Sequence, residues 1–163
     1  MLIRLKNKDR LDIDEFSFKC SIGANGLKLN KREGDLCTPK GIFSIKKVFY
    51  RPDRIKKLDT KITKTKINKN MGWCNNPTSG KYNSLVDIRE KIKHEKMFRK
   101  DMKYDVIIII DYNLIKPIPF RGSAIFIHLT KNYKPTAGCI ALSKNDMLVL
   151  LKLINKRTVI KIN

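Results

Sequence analysis

The sequence predicts a mainly β fold of the β-rich α+β kind: a sandwich or curled mixed sheet with one or two helices on its flank. Three observations predict it. The apolar runs are short and rich in β-branched residues. Gly, Asn and Pro clusters separate them. Only one segment has a clear helical period.

Taken in order, residues 2–5, 16–22, 41–50, 104–110, 123–129, 139–142 and 158–162 read as strands. Gly23-Ala24-Asn25-Gly26 favours a tight reversal after the second. Pro117 and Pro119 break the chain before Arg121-Gly122, so the next strand is expected from about Ser123. The clear helix follows Ser143, a good N-cap with Asp146 three residues on. Met147, Leu150, Leu151 and Ile154 then share one face at i, i+3, i+4 and i+7. A second helical stretch is expected within 88–101. Residues 60–78 read as loop-rich and as a possible flap. No linker or composition break divides the chain, so 1–163 is expected to form one domain.

Composition bounds the function. At 42% apolar the chain can bury a core without staples. No apolar run, Val106–Ile110 included, exceeds five residues, against about 20 for a membrane-spanning helix. The 36 Lys and Arg against 15 Asp and Glu give +21. Such a balance attracts polyanions: nucleic acid, anionic lipid or acidic cell-wall polymer. It is equally the solvated surface expected of a Lys-, Ile- and Asn-rich composition. A non-catalytic binder of nucleic acid or acidic polymer is therefore the alternative reading. No zinc-finger spacing, Gly-x-x-Gly clamp or aromatic-rich RNA-binding strand supports nucleic acid as the main partner.

Cys20, Cys37, Cys74 and Cys139 include no pair separated by two residues, so zinc-ribbon and thioredoxin spacings are absent. Cys20, on a strand-like run, reads as a small buried hydrophobe. With two dispersed histidines, His94 and His128, no metal site is evident. Met1-Leu2-Ile3-Arg4-Leu5-Lys6-Asn7-Lys8 lacks an apolar h-region, so the default expectation is a cytoplasmic protein.

The sharpest chemical signal is His128 followed eleven residues later by Cys139. His128 lies near the end of one expected strand, and Cys139 starts the next after Thr136-Ala137-Gly138. If those strands paired antiparallel, opposed β-carbons would sit roughly 5 Å apart, within reach of an imidazole for a thiol. Thiol catalysis needs the thiolate, and an adjacent imidazole is the usual means of making it. Cys139 would then alkylate near neutral pH ahead of the other three thiols. Gly138 permits a sharp turn, and the amides of Gly138 and Cys139 could face a developing oxyanion. Thr136 could bond the loop or a substrate. On spacing alone, His and Cys at strand ends are also ordinary core or edge residues.

These residues resemble the L,D-transpeptidase catalytic-domain family, cysteine enzymes that remodel peptidoglycan. The signature is an upstream His, then Ser/Thr-x-Gly-Cys-apolar; here it is His128, then Thr136-Ala137-Gly138-Cys139-Ile140. Thr38-Pro39-Lys40-Gly41-Ile42-Phe43 resembles the family's Thr-Pro-x-Gly-x-Phe segment. Tyr50-Arg51-Pro52-Asp53-Arg54, Gly72-Trp73-Cys74-Asn75-Asn76-Pro77, Tyr82-Asn83, His94-Glu95 and Tyr104-Asp105 also look like a compact bacterial branch, so the likeness touches nearly the whole chain. Better-known members carry His between the Ser/Thr and the Gly, and Arg two residues after the Cys; Ala137 and Ala141 stand there.

The resemblance implies the family's sheet architecture and acyl transfer without cofactor or metal. Cys139 would be the nucleophile, with His128 its base, oriented by a backbone carbonyl just after it. The amides of Gly138 and Cys139 would hold the oxyanion. The substrate would be a peptidoglycan tetrapeptide stem. An amine acceptor would give a 3→3 cross-link, water a carboxypeptidase, and a free D-amino acid an exchange enzyme. Thr136, Arg121, Trp73 and Tyr82 are the candidate substrate contacts, Arg121 for a carboxylate and the two aromatics as cleft walls. His94 is expected at the surface or behind the site. A monomer in the cell envelope is the matching expectation, at odds with the cytoplasmic default read from the N-terminus.

Overall fold

A computed structural model describes residues 1–163. Its strands are β1 (Leu2–Lys6), β2 (Arg10–Ile13), β3 (Phe16–Ser21), β4 (Leu27–Lys28), β5 (Thr38–Pro39), β6 (Gly41–Tyr50), β7 (Lys64–Lys66), β8 (Met71–Cys74), β9 (Leu85–Asp87), β10 (His94–Lys96), β11 (Val106–Ile110), β12 (Phe126–Leu129), β13 (Ile140–Leu142) and β14 (Val159–Ile162). One α-helix, α1 (Lys144–Leu153), joins the last two. The mainly β expectation holds.

Eight strands form a closed ring. β1, β2 and β3 are an antiparallel meander. β3 then pairs antiparallel with β13, β13 parallel with β12, and β12 antiparallel with β11. β11 runs antiparallel to β6, β6 antiparallel to β14, and β14 parallel to β1. Two strands serve both halves of this curled sheet. β3 gives Phe16 to Lys19 to β2 and its last two residues to β13. β6 gives residues 41–44 to β14 and 45–50 to β11, with a register shift at Ile109/Ile110 where the sheet bends.

The five consecutive apolar residues of β11 are explained by burial on both faces. Val106, Ile108 and Ile110 face the main core, with Ile3, Leu11, Val48, Ile127, Ile140 and the α1 residues Met147, Leu150 and Leu151. Ile107 and Ile109 face a second core with Phe49, Trp73, Met97, Tyr104, Phe126 and Cys139. A small sheet, β10-β8-β9, contributes Trp73 to that second core. α1 starts where expected: Ser143 Oγ accepts from the Asp146 amide at 3.1 Å.

Two expectations fail here. Residues 88–101 form a 3-10 turn, Ile88–Glu90, and then strand β10. Lys91 ends the turn at φ 57, and Ile92 and Lys93 lead directly into pairing with β8. The stretch 60–78 is not a free flap. β7 pairs with β6, β8 sits in the small sheet, and Ile62, Ile67, Trp73 and Cys74 are buried. No helix is long and apolar enough to cross a membrane.

Candidate active site

β12 and β13 are parallel, not antiparallel, pairing Ile127 with Ile140 and His128 with Ala141. The reason lies in the ten-residue connection. Its far end is captured by the segment after β3: Thr136 donates its amide to Ile22 O at 2.8 Å, and Ala24 donates to Thr136 O at 2.9 Å. The chain is thereby returned to the start of β12 before Cys139. Cys139 lies one step before β13, beside Phe126, whose amide donates to Sγ at 3.3 Å. Alternation then puts Phe126, His128, Cys139 and Ala141 on one face. Cys139 and His128 are diagonal neighbours, with Cα atoms roughly 8 Å apart from sheet geometry. Small Ala141 opposite the imidazole leaves space on that face.

The thiol of Cys139 is buried and donates to Ala124 O at 3.1 Å. Ala124 adopts φ 53, and its amide donates to Asn83 Oδ1 at 3.0 Å. Burial pushes the thiol up to about 12; the Glu95 carboxylate adds to this, while the Phe126 amide and Lys31 oppose it. Burial thus favours the protonated thiol at Cys139. Cys20 is held at the same level, also mainly by burial.

His128 is buried too, and burial pulls its imidazole down to about 4. Its Nδ1 lies 3.0 Å from Leu129 O. A carbonyl only accepts, so Nδ1 carries the proton and Nε2 keeps its lone pair. The orienting carbonyl is that of the residue just after the histidine. The ring of Tyr104 lies edge-on to His128 at 5.6 Å between centroids. Tyr104 donates its hydroxyl to Glu95 Oε1 at 2.6 Å.

Thr136 clamps the loop before the thiol. Its Oγ1 donates to Cys139 O at 2.6 Å and accepts the Gly138 amide at 3.1 Å. The Gly138 amide is therefore engaged, and of the two expected oxyanion donors only the Cys139 amide has no protein acceptor. Gly138 is required on steric grounds: at φ +142, a β-carbon would fall 2.7 Å from Cys37 O. Thr38 ties this loop to the Thr-Pro segment, donating Oγ1 to Gly138 O at 2.8 Å and accepting the Gly23 amide at 2.9 Å.

Cys139, His128, Thr136, Ala141, Tyr104 and Glu95 line one cleft of about 690 Å³. The family model for the L,D-transpeptidase catalytic domain, YkuD, matches residues 3–162. The chain belongs to the YkuD family. No curated protein matches it. YkuD domains carry L,D-transpeptidase-type catalysis on peptidoglycan, and the curled mixed sheet described above is of that type.

Within this YkuD fold, three expected substrate contacts lie elsewhere. Arg121 borders a separate shallow groove with Leu29, Tyr112 and Ile118, because the turn at Phe120 (φ 63) and Gly122 (φ 102) carries it away from the cleft. Trp73 is buried; its Nε1 donates to Asn83 Oδ1 at 2.9 Å, and its ring meets Phe126 edge-on at 5.0 Å. It supports the site from beneath instead of walling it. Tyr82 is buried, donating to Glu33 and accepting the Gly122 amide at 3.0 Å. His94 packs on Gly72, where a β-carbon would lie 2.7 Å from its ring.

The residues that sequence reasoning left without roles are Asn83, Glu95, Tyr104 and Lys31. The first three sat in segments resembling the family. Asn83 is fully bonded: besides its two acceptor contacts, Nδ2 donates to Tyr112 O at 3.2 Å and Asn113 O at 2.6 Å. Lys31 carried no local signal, being one Lys among many.

Proposed function

We propose that this domain transfers the acyl group of peptidoglycan tetrapeptide stems through a thioester on Cys139, with His128 as base. The observation that carries it is the co-location of Cys139 and a neutral, carbonyl-oriented His128 on one face of one cleft. Nε2 of His128 takes the thiol proton as sulfur attacks the carbonyl between the third stem residue and the terminal D-Ala. The free Cys139 amide stabilises the oxyanion. Collapse expels D-Ala, protonated by His128, and leaves the thioester. An amine from a second stem then attacks to give a 3→3 cross-link, or water gives the shortened stem. Because both groups rest neutral, proton transfer to His128 accompanies attack on the carbonyl and needs no resting ion pair.

The test is intact mass after brief exposure to a carbapenem or a tetrapeptide stem, comparing wild type with Cys139→Ala. One covalent adduct in wild type, lost in the variant, is expected. An adduct that persists without Cys139, or none on any protein, would reject the reading.

A further inference from the structure

Arg121 lies outside the cleft and Ala141 stands two residues after the nucleophile, so neither supplies a cation for a donor carboxylate. Lys31 lines the cleft yet is only 3% exposed. A buried ammonium is retained only when partnered. Its Nζ donates to Asp35 Oδ1 at 2.7 Å and to Arg32 O at 3.2 Å. An ammonium has three N–H groups, and the third has no protein acceptor.

Two glycines make room for the side chain. A β-carbon on Gly122 would fall 2.9 Å from Lys31 Cε, and one on Gly138 would fall 3.5 Å from the same atom. The lysine thus passes beside the residue immediately before the nucleophile. The other cations of the cleft are differently placed. Arg54 is paired with Asp105 and Arg99 with Asp101, while Lys100, Lys103, Lys131 and Lys134 stand exposed in solvent. Burial works against ionised Asp35, but Lys31 and the amides of Arg32 and Cys37 outweigh it and hold the carboxyl at about 2. Asp35 therefore stays a carboxylate throughout the working pH range. Lys31 is also the cation whose field favours ionised Cys139, opposing Glu95.

We propose that Lys31 binds the C-terminal carboxylate of the donor stem, the anionic group next to the scissile bond, and so positions the scissile carbonyl over Cys139. This rests on the acyl-transfer reading above. The free N–H makes a charge-assisted bond to the carboxylate in a water-poor setting, where such bonds are strongest.

The experiment compares two synthetic donors, the tetrapeptide stem with its free carboxylate and the same stem ending in a carboxamide. Acylation kinetics are read by intact mass. Wild type should show a KM about tenfold or more higher for the carboxamide, the usual range for one hydrogen bond to a charge. Lys31→Met should raise KM for the carboxylate donor by a similar factor, leave KM for the carboxamide donor unchanged, and so abolish the preference, while the lost field on Cys139 lowers kcat equally for both. Lys31→Arg should restore part of the preference. Equal KM values of wild type for both donors, or a preference that survives Lys31→Met, would overturn the proposal. So would an equal rise in KM for both donors, the mark of a merely structural lysine. Should Lys31→Met not fold, Asp35→Asn serves instead. It keeps the cation and removes its counter-ion, so the preference should persist or grow, and its disappearance would overturn the assignment. No acylation of wild type by either donor would reject the acyl-transfer reading itself and Lys31's role with it.

Discussion

The Sγ of Cys139 lies 3.1 Å from the carbonyl oxygen of Ala124, which accepts its thiol proton in a hydrogen bond. In the free protein Cys139 should not alkylate faster than Cys20 at neutral pH, since both thiols are pushed up to about 12. Its rate with iodoacetamide should climb about tenfold per pH unit above neutrality with no plateau below pH 9. Alkylation of each cysteine, followed by peptide mass spectrometry, checks this. A plateau near pH 7 would show a resting thiolate and a different proton arrangement.

His128 makes stability depend on acid. Its folded pKa, about 4, lies below the ordinary 6.5, so the unfolded chain binds the proton first. The stabilisation is present in full above pH 6.5 and is lost as pH falls through 6.5 to 4, by about 3 kcal/mol for a shift of this size. His128→Gln should flatten that part of the profile in urea unfolding, leaving the carboxylate-dependent loss at lower pH.

Thr136 should act through the loop it clamps. Thr136→Val keeps the shape, removes the acceptor of the Gly138 amide and the donor to Cys139 O, and should cost about 1–3 kcal/mol. Acylation should slow more than tenfold as the nucleophile loses its fixed position. Thr136→Ser restores both bonds and should recover most of the rate. Equal rates for the valine and serine variants would show that the hydroxyl does not position the nucleophile.

Asn83 links the aromatic support to the nucleophile's neighbour. Asn83→Ala leaves the Trp73 indole N–H and the Ala124 amide without their shared acceptor. Buried, unpaired donors of this kind cost about 1–3 kcal/mol each. Unfolding should shift accordingly, with altered near-UV dichroism from Trp73, the sole tryptophan. An unchanged spectrum and midpoint would mean that water replaces the amide.

The fold was legible where a pattern is local. The apolar runs that became β1, β3, β6, β11 and β14 announced themselves through β-branching, and α1 through its N-cap and period. The short strands β7 to β10 did not. Lys64–Lys66 and His94–Lys96 are polar, and they are strands only because β6 and β8 supply their ladders. At the site, the Gly-Cys signature and the upstream His named the chemistry. Their relative direction was decided by two backbone bonds from Thr136 to the Ile22–Ala24 segment, more than a hundred residues earlier, and no residue type encodes such bonds. Trp73 and Tyr82 looked like cleft walls because an aromatic with a polar tip fits a core anchor equally well. Lys31 was masked by the abundance of lysine; burial alone distinguishes it.

The closed ring also sets how the chain can be made. β14 lies between β1 and β6, so during synthesis β1 must wait for Val159–Ile162 to emerge. Until then both β1 and β6 present unpaired edges on the nascent chain. Closing the loop from Leu2 to Val159 before these ladders form makes this a slow, high-contact-order folding problem. A premature stop before Val159 would leave a gap in the ring beside Gly41–Tyr50, not a shortened tail, and a species ready to pair edge to edge with its neighbours.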